Sequence, residues 1–273
     1  MEKFNFKKKF GQNFIKDINI VKKIVSTANV DKNTLVIEVG PGMGILTREL
    51  VNNALMVVSY EVDLELKDYL DKEFSSVDNL KIIYDDFLKR DISKDIEEYS
   101  FEKIYFVANV PYYITTPIMM KIMELPFIVS KIVMMVQKEV GERFASPSGS
   151  RDYSSISVYL SYFYNIKKEF IVGKNEFKPV PKVDSIVISL ERKKDLLQIN
   201  DYDLFFRLVR DSFRFKRKNI KNNLKGYDIK RVEEVLVKNN LSLNSRAEEV
   251  PMDVFVEMSN NLEWFSFLCY NSL

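Results

Sequence analysis

The chain has 273 residues, enough for two domains at roughly 150 residues each, and its 46% apolar and 29% charged residues exclude disorder and a fibrous architecture. Lys and Arg number 41 against 39 Asp and Glu, so a polyanionic partner must be met by local clusters of basic residues rather than by the net charge of +2. Histidine is absent, which removes the Ser-His-Asp arrangement, His-ligated metal sites and the usual general base near neutral pH.

The single cysteine, Cys269, excludes an intramolecular disulfide and a thiolate zinc cluster and fits a reducing compartment. No run of eighteen apolar residues occurs, and the basic N-terminus lacks the apolar stretch of a secretory signal. A cytoplasmic protein, with no membrane association and no metal, is expected.

In chain order, Ile18, Val21, Ile24 and Val25 mark an amphipathic helix over about 17–28. TLVIEVG then reads as a strand, GILTREL as helix, and ALMVVSYEVD as a second strand ending in acid. Further strands are predicted at 80–84, 103–107, 131–136, 169–172 and 184–190, with helices at 64–73, 116–124 and 154–164. This alternation implies an α/β fold with a mostly parallel sheet of about seven strands. The turn-rich KNEFKPVPKVDS replaces a helix between the last two strands, so the sheet is expected to finish with an antiparallel pair. After Arg192 only helical patterns remain, at 202–224, 229–239 and 252 to about 267, giving domains of 1–192 and 193–273.

The turn Glu38-Val39-Gly40-Pro41-Gly42-Met43-Gly44 lies between strand and helix, where glycines let a ligand approach backbone amides. Alone it fits a tight turn with no ligand. Glu61 closes the next strand, where a carboxylate can accept from both hydroxyls of a ribose, and Asp86 follows the third strand with Phe87 and Leu88 as apolar packing. All these loops leave the carboxyl ends of parallel strands, so a nucleoside cofactor is expected. The glycines and acids fit a nicotinamide cofactor and S-adenosylmethionine equally.

Asn109-Val110-Pro111-Tyr112-Tyr113 follows the fourth strand and favours the second of these. Pro111 holds Val110 extended, which can aim its carbonyl at a substrate, and Tyr112 supplies a stacking face. An adenine N6 amine is a poor nucleophile because its lone pair is delocalised. If the Asn109 oxygen and the Val110 carbonyl accept its two hydrogens, they favour a pyramidal nitrogen directed at an electrophilic methyl, and no ionisable base is needed.

At this point the sequence resembles the small-subunit ribosomal RNA adenine N6,N6-dimethyltransferases of the KsgA type. The resemblance rests on KKFGQNF at 8–14, EVGPGMGILT at 38–47, NVPYY at 109–113, MVQKEVGERF at 135–144, FKPVPKVDS at 177–185, FRFKRKNIKNNL at 213–224 and SRAEEVPMDVF at 245–255. It implies a Rossmann-like class I methyltransferase sheet followed by a small all-helical domain that binds RNA. It further implies S-adenosyl-L-methionine as cofactor, and two methyl groups on each of two adjacent adenosines in a 3′-terminal hairpin loop of 16S rRNA, within a small ribosomal subunit precursor. By this resemblance Gln12 and Asn13 lie at the methionine part of the cofactor, Gly40 and Gly42 at its backbone, Glu61 at the ribose and Asp86 at the adenine. Phe14, Val62, Phe87 and Asn109 complete the cofactor set, and Asn109, Val110, Pro111 and Tyr112 meet the target amine. Val110 stands where the family often has Leu, and Asp85 where it often has Gly.

Between Arg210 and Lys225, seven basic residues face one acid, Asp211. On a continuous helix, Arg207, Arg210, Arg214, Lys218, Lys221 and Lys225 share one arc beside an apolar one, and such a stripe can meet phosphates. Lys7, Lys8 and Lys9 form a second candidate RNA patch. Phe177 is a candidate stacking partner for the flipped adenine opposite Tyr112, with a hydrophobic plug as the competing role. The segment 141–155 reads as a mobile rim. A monomer is expected in the free state. The competing readings are a large-subunit rRNA adenine methyltransferase, a nicotinamide oxidoreductase and a non-catalytic RNA-binding assembly factor.

Overall fold

The computed structural model describes residues 13–262. In chain order the elements are β1 (Phe14–Ile15), α1 (Ile18–Ala28), β2 (Thr34–Val39), α2 (Ile45–Asn53), β3 (Met56–Tyr60), α3 (Lys67–Glu73), β4 (Leu80–Ile83), α4 (Ile92–Ile96), β5 (Lys103–Asn109) and α5 (Thr115–Met123). They continue with β6 (Lys131–Gln137), α6 (Lys138–Phe144), α7 (Ser155–Phe163), β7 (Tyr164–Val172), β8 (Phe177–Lys178), β9 (Ser185–Arg192), α8 (Tyr202–Ser212), α9 (Ile220–Asn223), α10 (Ile229–Lys238) and α11 (Met252–Asn261).

Seven strands form one sheet in the order β4-β3-β2-β5-β6-β9-β7. It is parallel from β4 to β6 and turns antiparallel at β9, where Ile132 faces Leu190 and Gln137 faces Ser185. This is the expected Rossmann-like, mostly parallel sheet. Every residue of β2 is buried, as a central strand covered on both faces requires. The strand order reverses around β2, so the crevice beyond the carboxyl ends of β2 and β5 is the switch point where such sheets receive ligands.

Local chemistry sets the helix ends. The Asp17 side chain accepts from the Asn19 N–H at 2.8 Å to start α1, and Asn29 ends it in the left-handed region at φ 53°. The α1 face of Val21, Ile24, Val25 and Ala28 joins Val36, Val57, Val107, Val133 and Val187 of the sheet in the main core.

Four features depart from the sequence expectation. A second, two-stranded sheet pairs β1 with β8, Phe14 opposite Lys178 and Ile15 opposite Phe177. The helix expected over 202–224 breaks after Ser212, because Asn219 caps a new helix, its side chain accepting from the Asn222 N–H at 3.1 Å. The chain also divides into two compact units, 1–141 with 166–192 and 142–165 with 193–273, so a single boundary after Arg192 is replaced by one in which 142–165 joins the tail.

Within the second unit, Tyr159 on α7 donates to the Phe206 carbonyl of α8 at 2.7 Å, and the rings of Tyr159 and Phe206 lie 4.7 Å apart. Nor is 141–155 a loose rim: the Gly149 N–H donates to the Glu248 carbonyl at 2.6 Å, and Tyr153 is buried with its ring edge against Phe213.

Candidate active site

The turn after β2 is left-handed at three glycines, Gly40 (φ 75°), Gly42 (φ 59°) and Gly44 (φ 73°), a conformation that side chains with a Cβ rarely adopt. The Gly40 N–H donates to the Tyr60 carbonyl at 2.9 Å, tying the turn to β3. A Cβ on Gly42 would stand 2.6 Å from Phe14 Cε1, so the Phe14 ring lies directly on the bare backbone.

Glu61 holds the turn from the other side. Its Oε2 accepts from the Gly42 N–H at 3.1 Å and its Oε1 from the Asp63 N–H at 2.8 Å. A carboxylate has about four lone-pair sites, so acceptor capacity remains for a ribose hydroxyl. Burial pushes this carboxyl above its usual range, and the backbone N–H groups of Asp63, Gly42 and Val62 oppose that rise.

Asp86 Oδ1 accepts from the Leu88 N–H at 3.0 Å, which fixes the carboxylate at the end of β4. Phe87 is buried, with its ring edge-on to Tyr60 at 5.3 Å and to Phe106 at 5.9 Å. Val62, more exposed, lines the same cleft.

Asn109 ends β5, its Nδ2 donating to the Asn13 carbonyl at 3.3 Å, an orientation that reserves Oδ1 as an acceptor. Pro111 (φ −57°, ψ 134°) turns the chain into a tight helical turn over Tyr112–Ile114. The Ile114 N–H donates to the Pro111 carbonyl and the Thr115 hydroxyl to the Tyr112 carbonyl, and neither bond uses the Val110 carbonyl. The Tyr112 hydroxyl lies 2.6 Å from Ser185 Oγ, and burial raises its phenol above the usual value.

One cavity of about 210 Å³ joins these groups. Asn13, Phe14, Gly40, Gly42, Glu61, Val62, Asp86 and Phe87 line it together with Asn109, Val110, Pro111 and Tyr112. Gln12 and Lys7, Lys8 and Lys9 lie outside the described residues.

Phe177 is 1% exposed, faces Ile15 across the small sheet and packs in the main core, surroundings that fit the competing plug role better than the stacking one. The basic tail is also rearranged. Arg207 and Arg210 ride on α8, Arg214 and Lys218 sit in the following turn, Lys221 is on α9 and Lys225 lies beyond it. Arg210, Arg214, Lys218, Lys221 and Lys225 are exposed but do not share one helical arc, and Arg207 is half-buried.

Three residues went unassigned in the sequence. Ser185 is fully buried and bonds Tyr112; a polar residue ahead of the apolar Ile186–Ile188 run is its only signal in the sequence. Tyr113 is 60% exposed, lines the cavity and is close enough to Asp86 and Glu61 to feel their charge. Glu38, buried under the turn, accepts from Thr47 Oγ1 at 2.8 Å and Ser59 Oγ at 2.5 Å. Among the described residues no group of three or more His, Cys, Asp or Glu could hold a metal ion, and no helix is long and apolar enough to cross a membrane.

Comparison with known proteins gives the same direction. The model of the family described as ribosomal RNA adenine dimethylase matches residues 3–263. A protein of Staphylococcus haemolyticus named Ribosomal RNA small subunit methyltransferase A is 42% identical over 86% of this chain and 81% of its own length. One of the same name from Streptococcus gordonii is 39% identical over 95% of this chain and 93% of its own. Among solved structures, the 23S rRNA methyltransferase ErmE matches with TM-score 0.71 and 28% identity over 92% of this chain and 99% of its own. A dimethyladenosine transferase of Plasmodium falciparum, 23% identical with TM-score 0.73 over 90% of this chain and 95% of its own, shares the fold. The family match leaves almost no part of the chain uncovered: the chain belongs to the ribosomal RNA adenine dimethylase family, and it is a methyltransferase that draws methyl groups from S-adenosyl-L-methionine and transfers them to rRNA adenines.

Proposed function

We propose that the enzyme dimethylates the N6 amines of two adjacent adenosines in the 3′-terminal hairpin loop of 16S rRNA, acting in the cytoplasm on a small-subunit precursor, as a monomer when free. The observation that carries the chemistry is the Asn109 amide, held by the Asn13 carbonyl with its oxygen reserved to accept. The small-subunit names of relatives at 42% and 39% identity support the substrate, against 28% for the large-subunit enzyme.

The cradle fits the cofactor by its own geometry. A glycine without room for a Cβ lies under Phe14, Glu61 keeps acceptor capacity for a ribose, and Asp86 waits at the far end for an adenine amine. Bound there, S-adenosyl-L-methionine supplies an electrophilic methyl on a sulfonium. Asn109 Oδ1 and the Val110 carbonyl then accept the two hydrogens of the target amine and turn its lone pair away from the ring. Tyr112, fixed by Ser185, stacks on the purine. The proton on N6 becomes acidic once the nitrogen carries positive charge, so it leaves to water and a chain without histidine loses nothing. Exposed Arg210, Arg214, Lys218, Lys221 and Lys225 hold RNA phosphates.

A specific observation keeps the large-subunit reading as the second choice: the match to the 23S rRNA methyltransferase spans 99% of that protein. Incubation with labelled S-adenosyl-L-methionine and either unmodified small or large subunits, followed by mass analysis of nucleosides, separates them. Dimethyladenosine at two adjacent loop positions of the small-subunit RNA is expected, and label confined to large-subunit RNA would reject the assignment.

A further inference from the structure

Phe215 lies in the turn between α8 and α9, outside every group that methyl transfer uses. It is 55% exposed, while Phe213, two residues earlier, turns inward against Tyr153 and Phe255 with ring centres 5.9 Å from each. A single exposed phenyl is ordinary on a protein surface. This one is framed by exposed Arg214, Lys216, Arg217 and Lys218, with the Arg214 guanidinium 5.5 Å from its ring centre.

Its backbone is also clamped. The Phe215 N–H donates to Asn223 Oδ1 at 3.2 Å, and Asn223 Nδ2 reaches the carbonyls of Ser212 at 2.7 Å, Phe215 at 3.3 Å and Lys218 at 3.4 Å. Lys216 Nζ donates to the Arg151 carbonyl at 3.2 Å, joining the turn to a segment that exposes another cation. A helix would have spread these side chains around a cylinder. The Asn223 clamp instead gathers one aromatic face and four positive charges on one short turn.

We infer that Phe215 is a stacking platform for an unpaired RNA base, with the cations of residues 214–218 gripping the phosphates on either side. This rests on the enzyme's acting on rRNA and adds to it a contact separate from the target adenine. Aromatic faces bind any base by stacking, and interleaved cations supply the backbone grip that unpaired strands need. The charge around Phe215 and the absence of a second apolar residue at 214–218 fit a polyanion with a single splayed base better than a lipid surface.

The test compares full-length wild type with Phe215→Ala, Phe215→Tyr and Arg217→Ala/Lys218→Ala, titrated against protein-free 16S rRNA and a short single-stranded RNA carrying 2-aminopurine. Phe215→Ala is expected to weaken binding by at least about fivefold, the lower end for one stacked base, and to abolish fluorescence quenching. Its salt slope, melting temperature and S-adenosyl-L-methionine affinity should match wild type, because the ring touches no phosphate and is not core. Phe215→Tyr should retain both affinity and quenching, whereas Arg217→Ala/Lys218→Ala should flatten the salt slope. Salt-dependent wild-type binding with an unchanged Phe215→Ala affinity would overturn the stacking role alone. Failure of wild type to bind either RNA would overturn this inference, and the rRNA assignment would fall with it only if the same preparation also left small-subunit particles unmethylated. Phe215-dependent binding to vesicles of anionic lipid, with none to RNA, would give the surface to a membrane instead.

Discussion

Glu38 is a carboxyl group sealed under the glycine turn at 1% exposure, and burial pushes its pKa from 4.5 up to about 7 despite the Ser59 and Thr47 hydroxyls that favour the anion. Nearby Glu61 raises it further. Because the folded protein binds this proton more tightly than the unfolded chain, the group's contribution to stability is fully present below about pH 4.5 and is lost as pH rises through about 7. Glu38→Gln should therefore flatten the fall in melting temperature between about pH 5 and about pH 8. An identical fall in the variant would mean that Glu38 is ionised throughout.

The hydrogen bond between the Tyr112 and Ser185 hydroxyls anchors the tip of the ring proposed to stack on the base. Ser185→Ala should slow methyl transfer by about fivefold, the value of one hydrogen bond near 1 kcal/mol, and leave cofactor affinity unchanged. Tyr112→Phe should match it, and the double variant should lose no more than either alone; additive losses would show that the two hydroxyls act separately. Asn109, at the end of β5, and Glu61, just past β3, stand out in the sequence as candidates because each follows an apolar run inside a recognisable turn pattern. Ser185 does not, because only the fold brings the start of β9 beside the turn after β5.

Among the elements, the β1 and β8 clip has the most consequence for its size. Phe177 buries itself against Ile15 so that β1 can lay Phe14 on Gly42 and present the Asn13 carbonyl to Asn109. Phe177→Ala should destabilise the protein by about 3–5 kcal/mol and weaken S-adenosyl-L-methionine binding, while Phe177→Leu restores most of both. A Phe177→Leu variant with wild-type stability and cofactor affinity but little methyl transfer would return the residue to base stacking.

The strands were legible in the sequence because β-branched runs such as TLVIEV have one outcome in a buried parallel sheet. The two-residue clip is too short to carry a periodic signal. The break in the tail helix was missed for a different reason: apolar and basic residues keep helical spacing across it, and only the Asn219 cap and the Asn223 clamp distinguish a turn from a continuing helix.

On the scale of the whole molecule, periodicity within 142–165 shows a helix but does not reveal that α7 belongs with the tail, since that depends on its packing partners. The charge map was legible, and it makes a prediction for the complete enzyme. Neutralising Arg214, Lys218 and Lys221 together should weaken rRNA binding and reduce the slope of log affinity against log salt by about 2–3, as expected for three lost phosphate contacts. An unchanged slope would remove this surface from RNA binding. In the proposed mechanism methyl transfer turns on the Asn109 amide, and single-turnover transfer to unmodified small-subunit particles by Asn109→Ala, with S-adenosyl-L-methionine affinity measured on the same preparation, tests it most directly. Affinity within about threefold of wild type and a rate reduced by about a hundredfold or more are the predicted result. A near-wild-type rate with the cofactor bound would contradict the role given to Asn109.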